Sequence, residues 1–430
     1  MRSEPQYKID FPSMTRALRL RFGVAVFCLG MLDLHFAFFW MARKYAFSGS
    51  PDFKIFYAAA LMLKRGQGDM LYSDSLQEKT EEELAPEVVR NHGALPYNHP
   101  PFEAALFVPL TYLSFLRAYL AWTLLNLLFL AVSLFLIYPW VPRIRSLFPV
   151  TWYIAPLAFF PIAYAFMQGQ DSVLLLFLYC LAYVALRKQQ DLRAGIFLGL
   201  GLFKFHLVLP FVFLLLVARR WRTIAGFLIS AMFDFVVSWL LVGWKELIKY
   251  PGYTLHIDRL QPFRVIVPRN MPNIRGLLTG WGSAPHPPVW LEVILVVVSL
   301  FVLGWASRQW RPGDLRDEGT WNRGFSIAMI STFLVGYHGY NQDMSMLLLP
   351  VLLIIEHALG GARNATALKI LAGIMFFSPL YLLLTFHVSH QNLFCIVLLC
   401  LAVLLAVSGD TEQRPASSGR GAELLTAQPQ

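Results

Sequence analysis

Residues 117–138 read RAYLAWTLLNLLFLAVSLFLIY, one apolar run interrupted only by neutral polar side chains such as Asn126 and Ser133 once Arg117 is passed. Apolar and polar positions do not alternate, which excludes a barrel strand, and the length suits a helix crossing a hydrocarbon core, which takes about 20 residues. Comparable runs recur from Phe22 to Val407, broken by short basic or polar clusters. In a chain of 430 residues, 57% hydrophobic and only 14% charged, with a mean hydropathy of +0.53, most of the surface must face lipid.

The fold expected is therefore an all-α integral membrane bundle of about twelve spans. They are placed near 19–41, 117–138, 150–167, 171–187, 193–204, 206–219, 223–243, 288–307, 323–338, 343–359, 366–385 and 391–408. The segments 193–204 and 206–219 are short for straight crossings and are expected to be tilted, broken or re-entrant around Lys204. The first apolar run is span-length and follows an uncleaved-looking basic arm, 1–18. The Ser-, Ala- and Gly-rich stretch 409–430 reads as a disordered tail.

Basic residues fall at every second junction: Arg2, Lys8, Arg16 and Arg19, then Arg143/Arg145, Arg187/Lys188, Arg219/Arg220/Arg222, Arg308/Arg311 and Arg363/Lys369. By the positive-inside rule these junctions and both termini face the cytoplasm. The polar clusters then fall outside: the first outer loop 42–116, residues 168–171, 204–206, the loop 244–287, 337–343 and 387–392. The net charge of +10 is scattered along membrane borders rather than in a stripe, which fits anionic lipid headgroups and no nucleic acid. Cys28, Cys180, Cys395 and Cys400 lie in apolar runs without metal-ligand spacing and read as core residues. Asn364-Ala365-Thr366 fits a glycosylation pattern but falls on the inner side.

In the first outer loop, Ser50-Pro51-Asp52-Phe53 sets a carboxylate where the first apolar run has ended. Residues 52–66 outline an interfacial helix. Asp52 also fits a cap that accepts backbone N–H bonds at that helix start. After an acidic helical patch, 80–89, come Tyr97-Asn98-His99-Pro100-Pro101-Phe102 and an apolar piece, 102–116, that lies in the membrane or crosses it at a tilt.

The series Asp52-Phe53-x-x-Phe56-Tyr57-x-Ala59-Ala60, Leu71-Tyr72 and Tyr97-x-x-Pro100-Pro101-Phe102 resembles glycosyltransferase family 87, the polyprenyl-phosphate-mannose-dependent membrane mannosyltransferases. Further matching pieces are Gly169-Gln170, Gly195 through Lys204 with Pro210, Trp221 after Arg219-Arg220, Asn273 before Gly276, and His338 through Asp343. The resemblance covers most of the chain and rests on the order of the pieces.

It implies a GT-C-type domain over 19–408, with an outward-facing site between a polyprenyl-phosphate sugar donor and a lipid or glycan acceptor at the plasma membrane. The reaction implied is an inverting, metal-independent hexosyl transfer, with mannose the expected sugar. Neither metal nor cofactor is implied, since the lipid-linked sugar is itself the substrate. The family's acidic residue in the first outer loop matches Asp52 and is the implied general base. One carboxylate can take the acceptor's proton while the anomeric carbon gains oxocarbenium character. The leaving lipid phosphate needs only cationic or hydrogen-bonding side chains.

The candidates for that phosphate each carry an ordinary alternative. Lys204 and His206 interrupt apolar sequence, where a charge either snorkels or has a partner. His338 either makes a structural hydrogen bond or binds the donor, with Asp343 as support or helix cap. Arg264, Arg275 and Asn273 belong to a basic outer loop that either carries arbitrary charge or recruits anionic lipid. Gln170 matches a family position near the sugar or phosphate, and Tyr97 belongs to the loop motif. Asp171 reads as a helix cap. The rival function is a transporter or lipid flippase using Asp33, beside His35, and Asp234. Against it, no inverted repeat is visible and the polar clusters gather on one face. A scaffold leaves the 52–102 loop unexplained, and the Asp52 motif argues against a polymer ligase.

Overall fold

The computed structural model describes residues 11–260, 267–282, 288–313 and 317–409, and among them every regular element is helical. Four helices are long and apolar enough to cross a membrane: Ala17–Tyr45, Phe115–Trp140, Trp221–Ile257 and Val289–Gln309. Two bent pairs raise the number to six: Asp191–Gly199 with Leu202–Val217, at 60°, and Ala365–Phe376 with Ser378–His387, at 56°.

The expected spans are helical in outline, but about half are not straight crossings. The 150–167 stretch is broken into Thr151–Ile154, a 3-10 turn and Phe160–Gln168, with Pro156 and Pro161 at the joints, where a missing N–H and a fixed φ interrupt the ladder. Helix Ser172–Arg187 has 16 residues and is nearly enclosed by neighbours. The break expected around Lys204 is present, and it sits at Leu200 and Gly201 just before that residue.

Small residues let the bent pair approach its neighbour. Helix Asp191–Gly199 packs along Trp221–Leu260. A Cβ on Gly195 would lie 1.9 Å from the Thr223 carbonyl, and one on Gly226 would lie 2.0 Å from that of Leu192. The backbones therefore touch directly, the packing expected of small residues between apolar helices. Beyond Gly243, at φ +75, the same helix resumes in a new direction.

Arg187 ends helix Ser172–Arg187 and pairs with Glu318 at the start of helix Glu318–Val335, 3.2 Å away. Asp171 and Gly336 lie at the opposite ends of the same two helices. In these two helices the basic junction at Arg187 and the polar residues at Asp171 and Gly336 thus lie at opposite ends.

The segment that follows the first long helix folds as an apolar layer of its own. Phe53, Phe56, Tyr72, Tyr97, Phe107 and Trp122 form a second core, and helix Phe53–Lys64 is buried along most of its length. Its surroundings are protein rather than lipid headgroups, which corrects the reading of 52–66 as an interfacial helix. The apolar piece after the double proline is a short helix, Pro101–Phe107, and a 3-10 turn that leads into Phe115–Ile137.

Candidate active site

The site is assembled around one turn. Gly169 links helix Phe160–Gln168 to helix Ser172–Arg187 at φ +63, and a Cβ there would lie 2.6 Å from the Phe53 Cβ. Glycine thus supplies both the left-handed turn and the close approach that sets Gln170 beside Asp52. The turn is held from behind by helix Phe115–Ile137. The Tyr119 hydroxyl donates to the Met167 carbonyl at 2.9 Å, and the Trp122 indole N–H donates to that of Gly169 at 3.0 Å. Asn126 donates to the Gln170 carbonyl at 3.3 Å.

Asp52 stands at the start of its helix without capping it, and its Oδ2 instead accepts from Gln170 Nε2 at 2.6 Å. Burial pushes its carboxyl up, the Gln170 hydrogen bond and the Lys204 charge pull it back, and the net direction is upward. Gln170 Oε1 accepts from Lys204 Nζ at 3.2 Å. That ammonium also lies 2.9 Å from Asp171 Oδ1 and 2.8 Å from Asp343 Oδ1, and the residue is 3% exposed. Lys204 donates to Gln170 and Asp343, and Asp171 completes the site as an ion-pair partner. Lys204 is therefore buried rather than snorkelling, and a phosphate would have to displace one of these partners.

Of the two aspartates, Asp171 departs from the cap read in the sequence, while Asp343 takes a supporting place beside Lys204. Asp171 makes no capping bond because its carboxylate turns to Lys204. Asp343 accepts from Ser172 Oγ at 2.9 Å and from the Tyr340 backbone N–H at 3.0 Å. Asn273 is a strut: its Oδ1 accepts the Gly276 N–H at 2.8 Å and its Nδ2 donates to the Gly336 carbonyl at 2.7 Å. Tyr97 is buried beneath the site, its hydroxyl donating to the Pro100 carbonyl at 3.0 Å. Arg264 lies outside the described residues.

On the far side of the pocket, His206 and His338 meet edge to face with ring centroids 5.8 Å apart, and neither Nε2 has a hydrogen-bond partner among the described residues. Arg275 lies over the Tyr337 ring, 3.9 Å from its centroid, and donates to the Tyr337 carbonyl at 3.3 Å. Burial, followed by the Arg275 charge, holds His338 well below the usual imidazole range, so it is neutral at pH 7. Asp52, Gln170, Lys204, His206, His338 and Asp343 all line one cavity of about 150 Å³, together with Asn98, His99, Thr254 and Tyr340. A larger cavity of about 490 Å³, between Leu127 and Leu157, is walled by apolar and aromatic side chains without a charge.

The structure adds a cluster that the sequence did not single out. His99 Nδ1 lies 2.8 Å from Glu103 Oε2, and Glu103 abuts Asp171. Burial and then the Asp171 charge push the Glu103 carboxyl well above the carboxylate range, so it carries a proton toward Asp171. Burial lowers His99 to about 4. The three side chains have metal-ligand spacing, with ligand atoms within 4.8 Å of one another. Lys204 already supplies a positive charge at Asp171, and a shared proton satisfies the two carboxyls without a cation. The i, i+4 spacing of His99 and Glu103 across the double proline was the available signal. Neither Asp33 nor Asp234 lines the pocket.

No curated protein and no solved structure matches the chain. A family model, glycosyltransferase family 87, matches residues 97–335, more than half of it. The matched stretch carries Tyr97, His99, Glu103, Gln170, Lys204, His206, Asn273 and Arg275, while Asp52, His338 and Asp343 lie to either side and join it only through the folded pocket. With its apolar spans and this polar pocket at one end of the bundle, the chain belongs to glycosyltransferase family 87 and is a membrane glycosyltransferase.

Proposed function

We propose that the protein transfers a hexose, mannose being the expected one, from a polyprenyl phosphate to a lipid or glycan acceptor at the outer face of the plasma membrane. The observation that carries this is the meeting of two kinds of group on one cavity: a carboxylate, Asp52, and two imidazoles, His206 and His338, whose Nε2 atoms lack partners among the described residues. A carboxylate is a base, and neutral imidazoles that donate from Nε2 are suited to an anion.

In the reaction Asp52 takes the proton of the acceptor hydroxyl as its oxygen bonds to the anomeric carbon. The bond from that carbon to the phosphate oxygen breaks on the opposite face, so the configuration inverts. The lipid phosphate leaves with the bonding electron pair. His206 and His338 donate to it, and the Arg275 charge adds to the field. Asp52 then returns its proton to water. No step calls for a metal in this scheme.

The test is transfer of labelled sugar from a synthetic polyprenyl-phosphate mannose to membrane extract by purified protein, with and without chelator. Transfer that survives the chelator and is lost in Asp52→Asn is the expected result. If the wild type transfers nothing from any hexose donor, the transporter alternative takes precedence, and Asp33 and Asp234 become the residues to replace.

A further inference from the structure

We infer that Lys204 and Gln170 form a positioning relay that aims and charges Asp52. The inference rests on the reading of Asp52 as the base. Lysine has only donors, so its ammonium fixes which end of the Gln170 amide turns toward it. Gln170 Oε1 faces Lys204 Nζ at 3.2 Å, which leaves the amide N–H for Asp52 Oδ2 at 2.6 Å. The flipped amide would set NH2 against the ammonium and its oxygen against the carboxylate, two repulsions in place of two hydrogen bonds.

Lys204 is itself immobilised by Asp171 and Asp343, at 2.9 and 2.8 Å, and Asp343 is anchored by Ser172 and the Tyr340 backbone. Orientation thus passes from two buried aspartates, through the ammonium, to the amide and the base. Lys204 acts through Gln170 and leaves the donor phosphate to His206, His338 and Arg275. The groups whose charge reaches Asp52 are Lys204, Asp343, Lys54, Glu81 and the phenols of Tyr45, Tyr164 and Tyr340. Among them the Gln170 hydrogen bond and the Lys204 charge act most strongly to favour the ionised form.

The direction of the effect follows. Loss of either link favours protonated Asp52, so the pH below which the rate falls must rise. A hydrogen bond or opposite charge of this kind is worth about one pH unit or more. The readout is the pH profile of kcat/KM for labelled donor, using full-length protein in lipid nanodiscs. Gln170→Met keeps the bulk of the side chain and removes both links. Its acid limb should move up by about one pH unit, so that its deficit is about tenfold greater below the limb than above it.

The double variant Lys204→Met with Asp343→Asn removes one charge of each sign, serves if Gln170→Met does not fold, and should move the limb the same way. A uniform loss at all pH values with the limb in place overturns the relay. Asp52→Asn separates the two ideas. Full activity there overturns the base assignment and the relay together, whereas an inactive Asp52→Asn beside an unmoved limb overturns the relay alone.

Discussion

Gln170 Nε2 lies 2.6 Å from Asp52 Oδ2, joining the start of helix Phe53–Lys64 to a turn 118 residues further along the chain. The turn is buttressed by Tyr119 and Trp122 and admits the approach only because residue 169 is glycine. The carboxylate is thereby aimed by parts of the bundle that fold around it.

Replacing Asp52 by Asn should abolish transfer, by at least about 100-fold, the lower range for loss of a general base. Asn keeps the size of the side chain, so the thermal midpoint in detergent should stay close to wild type. The wild-type rate should also fall as pH is lowered through a limb above the ordinary carboxylate range. Burial raises the Asp52 carboxyl, and only its ionised form can accept a proton. An acid limb at the ordinary carboxylate value would count against Asp52.

His206→Ala and His338→Ala should each weaken use of the donor. A hydrogen bond to a charged group is worth about 1.5–3 kcal/mol, roughly ten- to a hundredfold in kcat/KM. Varying donor and acceptor separately makes the check specific, since KM for the donor should rise while that for the acceptor stays put.

Much of this site was legible in the sequence, because charges are rare in apolar surroundings and each one there needs a reason. Lys204, His206 and Asp343 stood out on that ground, Asp52, Gln170 and His338 also through the family resemblance, and all six line one cavity. Their pairings were not legible. Asp171 sits where a helix cap is expected, and only the distant Lys204 turns it away. Helix Phe53–Lys64 has the pattern of an interfacial helix because its neighbours, Phe107 and Trp122, come from elsewhere in the chain. Hydropathy marks about twelve apolar segments, of which four long helices and two bent pairs have the length and composition to cross. It registers apolar content but not the joints at Pro156 and Pro161, nor the bend after Gly199.

Glu103→Gln should keep substantial activity, and Glu103→Leu should lose it. The glutamate is neutral because burial and the Asp171 charge hold its proton on, so an amide reproduces its donor. Leucine would leave Asp171 without that donor. A metal held by His99, Glu103 and Asp171 would give the opposite pattern, with Glu103→Gln and chelator reducing transfer together.

Lys54 and Glu81 test what supports the base from below. Lys54 Nζ lies 2.9 Å from Glu81 Oε2, and each residue is 1% exposed. Glu81 also accepts the Leu95 backbone N–H at 3.2 Å, which fastens the strand of chain leading to Tyr97 and His99. Taking away one partner strands a buried charge and costs about 3–5 kcal/mol, whereas replacing both with apolar groups of similar size is often neutral. Glu81→Ala should therefore lower the thermal midpoint sharply. The double variant Lys54→Met with Glu81→Leu should recover most of the loss. Because Lys54 is the second residue of the helix that Asp52 precedes and lines no part of the cavity, the double variant should also retain transfer. If it is stable but inactive, the ion pair does more than hold the helix in place, and its charges belong to the chemistry of the site.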